Sequence, residues 1–363
     1  MPLEVRFLPA AEGDAIWIRW GDDLERQMLV DMGKEQTGLS IRRKFEALPP
    51  DRRGFELLVV THIDGDHIGG VLTGLAEATP LERLAFNDVW FNGWAHLNGR
   101  SIPRKGAGLE PMGAAKGERL ISWLTGPWNE AFGRGPVVRE TPLKTIVLPG
   151  GLSVTVLGPT SQRLLDLRST WQLEVELAIA KGRLPAAAGL EPLGRQKPTR
   201  PALSSLADLR VLADEPFTPD PSKSNGTSIT LLLEWEKRRV LLTGDAFDTD
   251  VVEGLALLDE PLPVPIDIFK LPHHGSDGNV SRALVRAVAG PAWVVSTDGA
   301  KHYHPDAAAV ARVLVNSSQP QLLFNVPSEF NQWWCDDTWR SRFGYSTETG
   351  TAGDGLTVTL EPG

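Results

Sequence analysis

The chain has 363 residues, with 37 Lys and Arg against 46 Asp and Glu, and 41% of its residues are hydrophobic. This length suits one large α/β unit or two domains, and it is enough to bury a core without disulfides. Cys335 is the single cysteine, which excludes an intrachain disulfide and a cysteine-based zinc site. The N-terminus lacks the pattern of a signal peptide, and no run of about 18 apolar residues occurs. We therefore expect a cytoplasmic protein that does not enter a membrane.

Apolar runs of strand length dominate the first quarter of the chain. They predict strands at 3–9, 15–20, 27–33, 55–60 and 84–90. Apolar residues at helical spacing predict helices at 40–48 and 71–78. Polar residues begin directly after the strand at 55–60. Open α/β architectures place ligand sites at that edge of a sheet.

The segment 97–224 is less regular, since Gly and Pro are frequent in it. We predict one domain over 1–363 with 97–224 as an insertion, which contains a hairpin at 144–157, a helix at 161–181 and a loop at 185–221. Residues 97–200 hold 15 Lys and Arg against 8 Asp and Glu, so a basic stretch lies within an acidic chain. That charge could meet a phosphate backbone, or it could be an ordinary solvated surface.

Regular patterns return after residue 224. Compact apolar runs predict strands at 228–234, 239–243, 266–271 and 293–297. Helices are predicted between them, at 251–258 and 281–289. No internal repeat or low-complexity tract occurs.

The strongest functional signal is the loop Thr61–Gly70, directly after a predicted strand. It carries His62, Asp64, Asp66 and His67, four side chains that can bind metal, within six residues. Glycines in the loop let the backbone turn sharply enough to aim these side chains at one point. The loop therefore predicts a divalent metal site.

Two later strands also end in possible metal ligands. Asp245 follows the strand at 239–243, although Gly-Asp is also an ordinary turn. His273 and His274 follow the strand at 266–271. Neighbouring side chains on a strand point in opposite directions. We therefore expect one of the two histidines to bind metal and the other to lie beside it or contact substrate.

These three motifs, in this order and each after a strand, resemble the metallo-β-lactamase superfamily. The strongest likeness is to the hydrolase domain of the ComEC competence-protein family, over roughly 3–93 and 225–361. Further stretches share it: Glu12–Ile16, Leu29–Gly33, Asn225–Ser228, His304–Pro305 and Asp354–Val358. The resemblance implies an α/β fold, a four-layer αββα sandwich into which the basic Gly/Pro-rich segment is inserted.

The resemblance also implies a site for two divalent metal ions between two sheets. His62 and Asp64 would hold one ion, and Asp245 would bridge the two. The second ion would be held by Asp66, His67 and either His273 or His274.

This chain departs from the superfamily pattern at two of these places. The superfamily usually has histidine where this chain has Asp64, and an oxygen ligand shifts preference from zinc toward manganese, magnesium or iron. The usual histidine of the third motif is also missing. Asn225 occupies a comparable position in the ComEC likeness, and His96 is the other candidate to complete the first metal site.

Two divalent ions would lower the pKa of a bridging water and orient it for attack on a substrate. The resemblance suggests that Asp66 orients this water or takes its proton. Lys301, His302, Tyr303 and His304 form a polar cluster after the strand at 293–297. Of these, His304 is the best candidate for a catalytic contact with substrate.

Three functions are compatible with these residues. The first is phosphodiester hydrolysis on DNA, RNA or a nucleotide, in which tryptophans of the chain could stack bases. The second is hydrolysis of a lactone, thioester or β-lactam, since a fold does not fix a function. The third is a metal-binding subunit of low activity that binds a partner protein through 97–224. The complete ligand sets favour an enzyme, and the loop at 185–221 could cover its cleft.

Overall fold

The computed structural model describes residues 2–101, 115–180 and 196–363. Its strands are β1 Leu3–Phe7, β2 Ile16–Trp20, β3 Arg26–Val30, β4 Gly54–Phe55, β5 Leu57–Val59, β6 Ala85–Phe86, β7 Val89–Trp90, β8 Thr145–Val147, β9 Ser153–Gly158, β10 Thr230–Trp235, β11 Arg238–Leu242, β12 Val264–Pro265, β13 Ile268–Lys270, β14 Val288–Ala289, β15 Ala292–Val295, β16 Gln321–Phe324, β17 Ser346–Thr349 and β18 Leu356–Leu360. Its α-helices are α1 Glu35–Glu46, α2 Gly65–Val71, α3 Ala115–Trp123, α4 Ser161–Ala180, α5 Leu206–Ala213, α6 Asp248–Leu255, α7 Arg282–Arg286, α8 Ala307–Asn316, α9 Glu329–Gln332 and α10 Asp337–Phe343.

Two mixed sheets contain most of the strands. The six-stranded sheet has the order β18-β1-β2-β3-β5-β7, and the eight-stranded sheet has the order β17-β16-β15-β13-β11-β10-β9-β8. In the first, β3, β5 and β7 run parallel. In the second, β11, β13, β15, β16 and β17 run parallel. Parallel strands bring their carboxyl ends to one edge, so each sheet has an edge where polar loops can meet.

Three large apolar clusters show how the layers stack. One joins side chains of both sheets, such as Val30 and Leu242, and fills the space between them. A second packs the outer face of the six-stranded sheet against α1 and α2, and a third packs the other face of the eight-stranded sheet against helices that include α6 and α8. The predicted four-layer αββα sandwich is therefore confirmed.

The helix predicted at 71–78 begins earlier, at Gly65, and continues as a π-helical turn over Leu72–Ala76. Glycines weaken a helix, and three of them, at 65, 69 and 70, obscured its start in the sequence. Two of them, Gly69 and Gly70, are needed for packing. A Cβ on Gly70 would collide with the carbonyl of Met32, and one on Gly69 would press on the backbone of Glu35.

The described part of 97–224 contributes to the sandwich itself. The predicted hairpin at 144–157 is present as β8 and β9, which pair next to β10 in the eight-stranded sheet. The helix predicted at 161–181 is present as α4. That 97–224 is an insertion within a single domain stays a prediction.

The prediction of a loop throughout 185–221 is wrong in one part, because α5 lies within it. Ser205 caps this helix and Asp208 bonds back to the cap, and together they form a capping box that the sequence pattern already contained. Leu209 and Ala213 are buried and attach the helix to the core. Residues 185–195 of the predicted loop, and residue 181 at the end of the predicted helix 161–181, lie outside the described residues. Among the described helices, none is long and apolar enough to cross a membrane.

Candidate metal centre

Loops from both sheets form the candidate site. The loop with His62 and His67 follows β5 of the six-stranded sheet, and His67 lies in the first turns of α2. Asp245 follows β11, and His273 and His274 follow β13, in the eight-stranded sheet. All of these loops leave the carboxyl ends of parallel strands. The three sequence motifs therefore meet between the two sheets.

Asp245 lies at the middle of this cluster and is 2% exposed. All four histidines of the motifs turn their Nε2 atoms toward its carboxylate. On one side, His62 Nε2 and His273 Nε2 lie 3.9 and 4.0 Å from Asp245 Oδ2. On the other, His67 Nε2 and His274 Nε2 lie 3.3 and 3.6 Å from Asp245 Oδ1. Each carboxylate oxygen thus faces two imidazoles.

The opposite ring nitrogen, Nδ1, of each histidine has an oxygen partner that fixes the ring. These pairs are His62 with Thr61 Oγ1 at 3.0 Å, His67 with Asp31 Oδ2 at 2.8 Å, His273 with Asn279 Oδ1 at 2.8 Å and His274 with the Ser296 carbonyl at 2.8 Å. Such a partner for the second nitrogen is the usual support of a metal-binding histidine, because it sets the tautomer and the ring orientation.

Several buried atoms of the cluster have no hydrogen-bond partner. They are His62 Nε2, His67 Nε2, His274 Nε2 and Asp245 Oδ1. Buried polar atoms normally have a hydrogen-bond partner, so four such atoms without one around a single point indicate a binding site for a further group. Two atoms that bind one ion at about 2.1 Å lie no more than about 4.2 Å apart. The distances from Asp245 to the Nε2 atoms of His62, His67 and His274 are within this limit, so these residues fit a metal ion.

Four compact groups of described residues could hold an ion, and two of them contain Asp14: Asp14 with Asp245 and His274, and Asp14 with Asp31 and His67. The other two contain the residues that the sequence predicted. His62, His67 and Asp245 form one, and Asp66, His67 and His274 form another. Asp66 Oδ2 lies 3.7 Å from His274 Nε2. Of the two adjacent histidines, His274 is the one that these groups include. His273 lies outside them, with its side chain 25% exposed.

Buried charges in this cluster shift the pKa values of its side chains in opposite directions. Burial lowers the pKa of His67, but the carboxylates of Asp245 and Asp31 outweigh it and raise that pKa well above its usual value. Burial conversely raises the pKa of Asp245, yet the nearby imidazoles hold it well below its usual range. The buried carboxylate of Asp245 therefore stabilises positive charge beside it, and an imidazole that binds a metal ion would first release its extra proton.

The remaining predicted site residues lie at the border of this cluster. Asp64 Oδ2 lies 3.7 Å from His62 Nε2 and accepts a hydrogen bond of 2.9 Å from Ser224 Oγ. His304 is buried, with its Nδ1 3.3 Å from Asp306 Oδ2 and its ring centre 5.4 Å from that of His273. Their roles stay predictions.

His96 lies elsewhere, and both of its ring nitrogens have partners there. Nδ1 accepts a hydrogen bond from the Gly93 N–H at 3.1 Å, and Nε2 lies 3.1 Å from the Arg134 carbonyl. Its ring packs edge-on against Trp128. This histidine stabilises the local fold.

Of the two candidates for completing the first site, Asn225 is the one near the cluster. Its Nδ2 is 3.4 Å from His273 Nδ1, and its buried Oδ1 has no hydrogen-bond partner.

Acid is expected to lower the free energy of unfolding because His96 is buried. Burial lowers its pKa to about 4, from about 6.5 in an unfolded chain. The unfolded state therefore binds the extra proton first, and stability present above pH 6.5 is lost as the pH falls toward 4, by about 3 kcal/mol. Urea unfolding of the chelator-treated protein at pH 7 and pH 4.5 measures this loss. We expect His96→Gln to reduce the loss; an equal loss in the variant would contradict the assignment.

Four residues that support the cluster received no site role from the sequence: Asp14, Asp31, Asp220 and Lys270. The first two belong to stretches of the family likeness, which was an available signal: Asp14 lies in the turn before β2, and Asp31 directly follows β3. Lys270 interrupts the apolar run of β13, which was also a signal. It is fully buried and forms an ion pair with Asp14. Asp220 lies in the Pro-rich segment and had no signal.

Gly13 controls how closely the loop before β2 approaches the metal loop. A Cβ at this position would collide with the carbonyl of Asp66, to which the Asp14 N–H donates a hydrogen bond. We expect Gly13→Ala to destabilise the protein by about 1–3 kcal/mol and to weaken metal binding, because the Asp66 turn must move. Urea unfolding and metal titration measure both effects. Gly126→Ala is the control, since its added Cβ meets no atom within 4 Å; equal behaviour of the two variants would contradict the explanation.

Basic side chains of 97–200 are mostly paired within the molecule in the described part. Their ion pairs are Arg119 with Glu77, Arg134 with Glu130, Arg139 with Glu253, Arg163 with Asp250, Lys197 with Glu329 and Arg200 with Asp336. Most of these carboxylates lie outside the segment. Much of the positive charge in the described part of the segment is therefore neutralised by carboxylates of the same protein.

The αββα sandwich, with all three motif loops meeting between its sheets, agrees with the superfamily that the motifs resemble. The chain has a metallo-β-lactamase fold. No family model matches it. It is 24% identical over 132 residues to ComE operon protein 3 of Bacillus subtilis (strain 168), which supports the ComEC-like character of the motifs. The match spans 36% of this chain and 17% of that relative.

Solved structures with low similarity cover nearly the whole chain. The diiron β-hydroxylase CmlA of Streptomyces venezuelae has 15% identity and a TM-score of 0.42, over 99% of this chain and 54% of its own length. Zinc-bound PqqB of Methylobacterium extorquens has 13% identity and a TM-score of 0.41, over 98% of this chain and 100% of its own. At such scores, neither indicates which reaction this chain catalyses.

Proposed function

We propose that this protein is a metal-dependent hydrolase of phosphodiester bonds, with a nucleotide or a nucleic acid as substrate. The observation that carries the proposal is the convergence of four histidine Nε2 atoms on the two oxygens of Asp245, within 4.0 Å. The likeness of the motifs to the ComEC family favours a phosphodiester over a carbonyl substrate. Phosphodiesterase or nuclease activity is thus the function that we infer.

Two divalent ions fit the two sides of Asp245. His62 and Asp64 would hold one, while Asp66, His67 and His274 would hold the other. Zinc or manganese suits this set of imidazoles and carboxylates, and the share of oxygen ligands makes magnesium or iron possible. Bound ions supply a water of lowered pKa and stabilise charge that develops on the substrate oxygens.

The protein's own groups would orient the reactants around these ions. Asp66, on the first turn of α2, is partly exposed, so one of its oxygens can accept a hydrogen bond from the attacking water. Buried partners hold the imidazoles, which keeps the geometry fixed during the reaction. His273 and His304 lie beside the cluster, where they can contact a substrate oxygen.

The charge of 97–200 is a weaker argument for the proposal. Its described Lys and Arg side chains are largely engaged in ion pairs, which favours a solvated surface over a phosphate track. The proposed substrate contact is therefore the metal centre itself. A nucleic acid would be recognised by its scissile phosphate first.

Metal analysis of the purified protein, followed by turnover assays, tests the proposal. The substrates are bis-p-nitrophenyl phosphate, single- and double-stranded DNA, RNA and a panel of lactones, each with manganese or zinc. We expect about two equivalents of metal and phosphodiester turnover that Asp66→Ala and Asp245→Ala abolish. Turnover of lactones alone would refute the proposal, and metal binding without any turnover would favour a binding subunit.

A further inference from the structure

Asp220 reaches the metal centre from the segment that precedes the family-like motifs of the second sheet. Its Oδ2 atom accepts hydrogen bonds from Asn225 Nδ2 at 2.7 Å and from Asn279 Nδ2 at 3.0 Å, and it lies 3.2 Å from His273 Nδ1. Its Oδ1 accepts the Ser222 N–H at 2.8 Å. One carboxylate oxygen therefore joins the segment between α5 and β10 to the loop between β13 and α7, and the side chain is only 7% exposed.

The amide of Asn279 can be oriented in only one way. Its Nδ2 faces three acceptors, namely Asp220 Oδ2 at 3.0 Å and the carbonyls of Asp245 and Ala246 at 3.2 Å each. The other end, Oδ1, must then face His273 Nδ1, which lies 2.8 Å away. An amide oxygen only accepts, so Nδ1 carries the proton. The Nε2 atom of His273 is left turned toward Asp245 and the open side of the cluster.

We propose that Asp220 is a positioning residue of the active site, which fixes the ring of His273 directly and through Asn279 so that Nε2 meets the substrate. This inference rests on the proposed hydrolase function. It gives His273 a role different from that of His274, which belongs to the compact group with Asp66 and His67. It also means that Asp220, which lies outside the regions that resemble the ComEC family, contributes to the active site.

A buried arginine holds this segment in place. Arg312 of α8 is 2% exposed. Its guanidinium donates hydrogen bonds to carbonyls of the segment that contains Asp220 and to carbonyls of the loop that contains His273. Two of them, Ala213 and Glu215, belong to the Asp220 segment, at 3.4 and 3.1 Å. The other two, Asp277 and Val280, belong to the loop after His274, at 2.8 and 3.0 Å. The segment and the histidine loop are thus fixed to each other, as a positioning contact requires.

Asp220→Ala and Asp220→Asn, compared with wild type, test the inference. We expect Asp220→Ala to lower kcat by about 10–100-fold while the protein keeps its full metal content, and Asp220→Asn to lose less, since it retains an acceptor oxygen. The ratio to wild type is taken on whichever substrate wild type hydrolyses. A wild type that hydrolyses lactones only would refute the phosphodiesterase proposal and leave this test intact.

A second measurement does not need turnover. Histidine-labelled zinc protein should show an NMR signal for a ring protonated at Nδ1, assigned to His273 by its loss in His273→Gln. We expect Asp220→Ala to change the tautomer or to broaden this signal. Asp208→Asn is the matched control: it weakens the cap of α5 on the same segment, so it should lower Tm and leave kinetics and ring signals unchanged.

Three outcomes would overturn the inference. One is an Asp220→Ala protein with wild-type kinetics and an unchanged His273 signal. Another is an effect of Asp208→Asn on kcat as large as that of Asp220→Ala, which would show that only the attachment of the segment matters. The third is the loss of one metal equivalent in Asp220→Ala, which would make His273 a metal ligand.

Discussion

Asp245→Ala is expected to abolish metal binding and to lower any hydrolytic activity by more than about 100-fold. That loss exceeds the 10–100-fold typical of an outer hydrogen-bond partner, because Asp245 faces all four imidazoles directly. Without its carboxylate, the two sides of the centre share no ligand. Metal content by mass spectrometry and kcat/KM with manganese or zinc measure the change.

The control for this variant is Asp259→Asn, which removes an exposed carboxylate of the same chain. It should bind metal and turn over substrate like wild type. Asp245→Asn keeps the shape of the side chain and removes its charge, so it should lose metal nearly as completely as Asp245→Ala. Retention of both metals by Asp245→Ala would refute the central place of this residue.

Lys270→Met should destabilise the metal-free protein by about 3–5 kcal/mol, since it leaves a buried carboxylate without its partner. Lys270 forms an ion pair with Asp14, and both side chains are buried. Burial raises the pKa of Asp14, but Lys270 and then His274 outweigh it and lower that pKa to about 2. Lys270 Nζ also donates to the Gly244 carbonyl at 3.0 Å, beside Asp245. Urea unfolding with a chelator at pH 7 measures the loss.

A double variant separates the charge from the packing. Lys270→Met combined with Asp14→Asn removes both members of the buried pair, so it should recover part of the stability that Lys270→Met alone loses. Lys237→Met is the control, because Lys237 is exposed, and its effect should stay within about 0.5 kcal/mol. If Lys270→Met unfolds at the same urea concentration as this control, the buried pair is not a source of stability.

The positions of the metal-site loops were predictable because their residue types and spacing are unusual. His62 to His67 place four possible ligands within six residues after an apolar run, and chance rarely supplies such a set. The sequence could not show which of the neighbouring side chains would bind metal and which would contact substrate. His273 and His274 are adjacent, and only their partners, Asn279 and the Ser296 carbonyl, separate their roles.

Supporting residues were harder to predict, since their effect depends on contacts between distant parts of the chain. Asp220 lies 53 positions before His273 in a segment rich in Pro, and its role exists only because α5 and Arg312 fix that segment. Helix ends were also misplaced. The start of α2 at Gly65 is hidden because tertiary packing, through Gly69 and Gly70, outweighs local helix propensity.

The candidate metal ligands come from both sheets, so bound metal would affect how long the protein survives. His62, Asp66 and His67 follow a strand of one sheet, while Asp245 and His274 follow strands of the other. Bound ions would therefore link the two sheets beside the apolar cluster that lies between them. Each ion at a hundred times its Kd adds about 2.7 kcal/mol to the stability of the fold. In a cell short of metal, the protein would lose this stabilisation and unfold more often. Proteases would then degrade more of it, so the supply of metal would affect the amount of the protein.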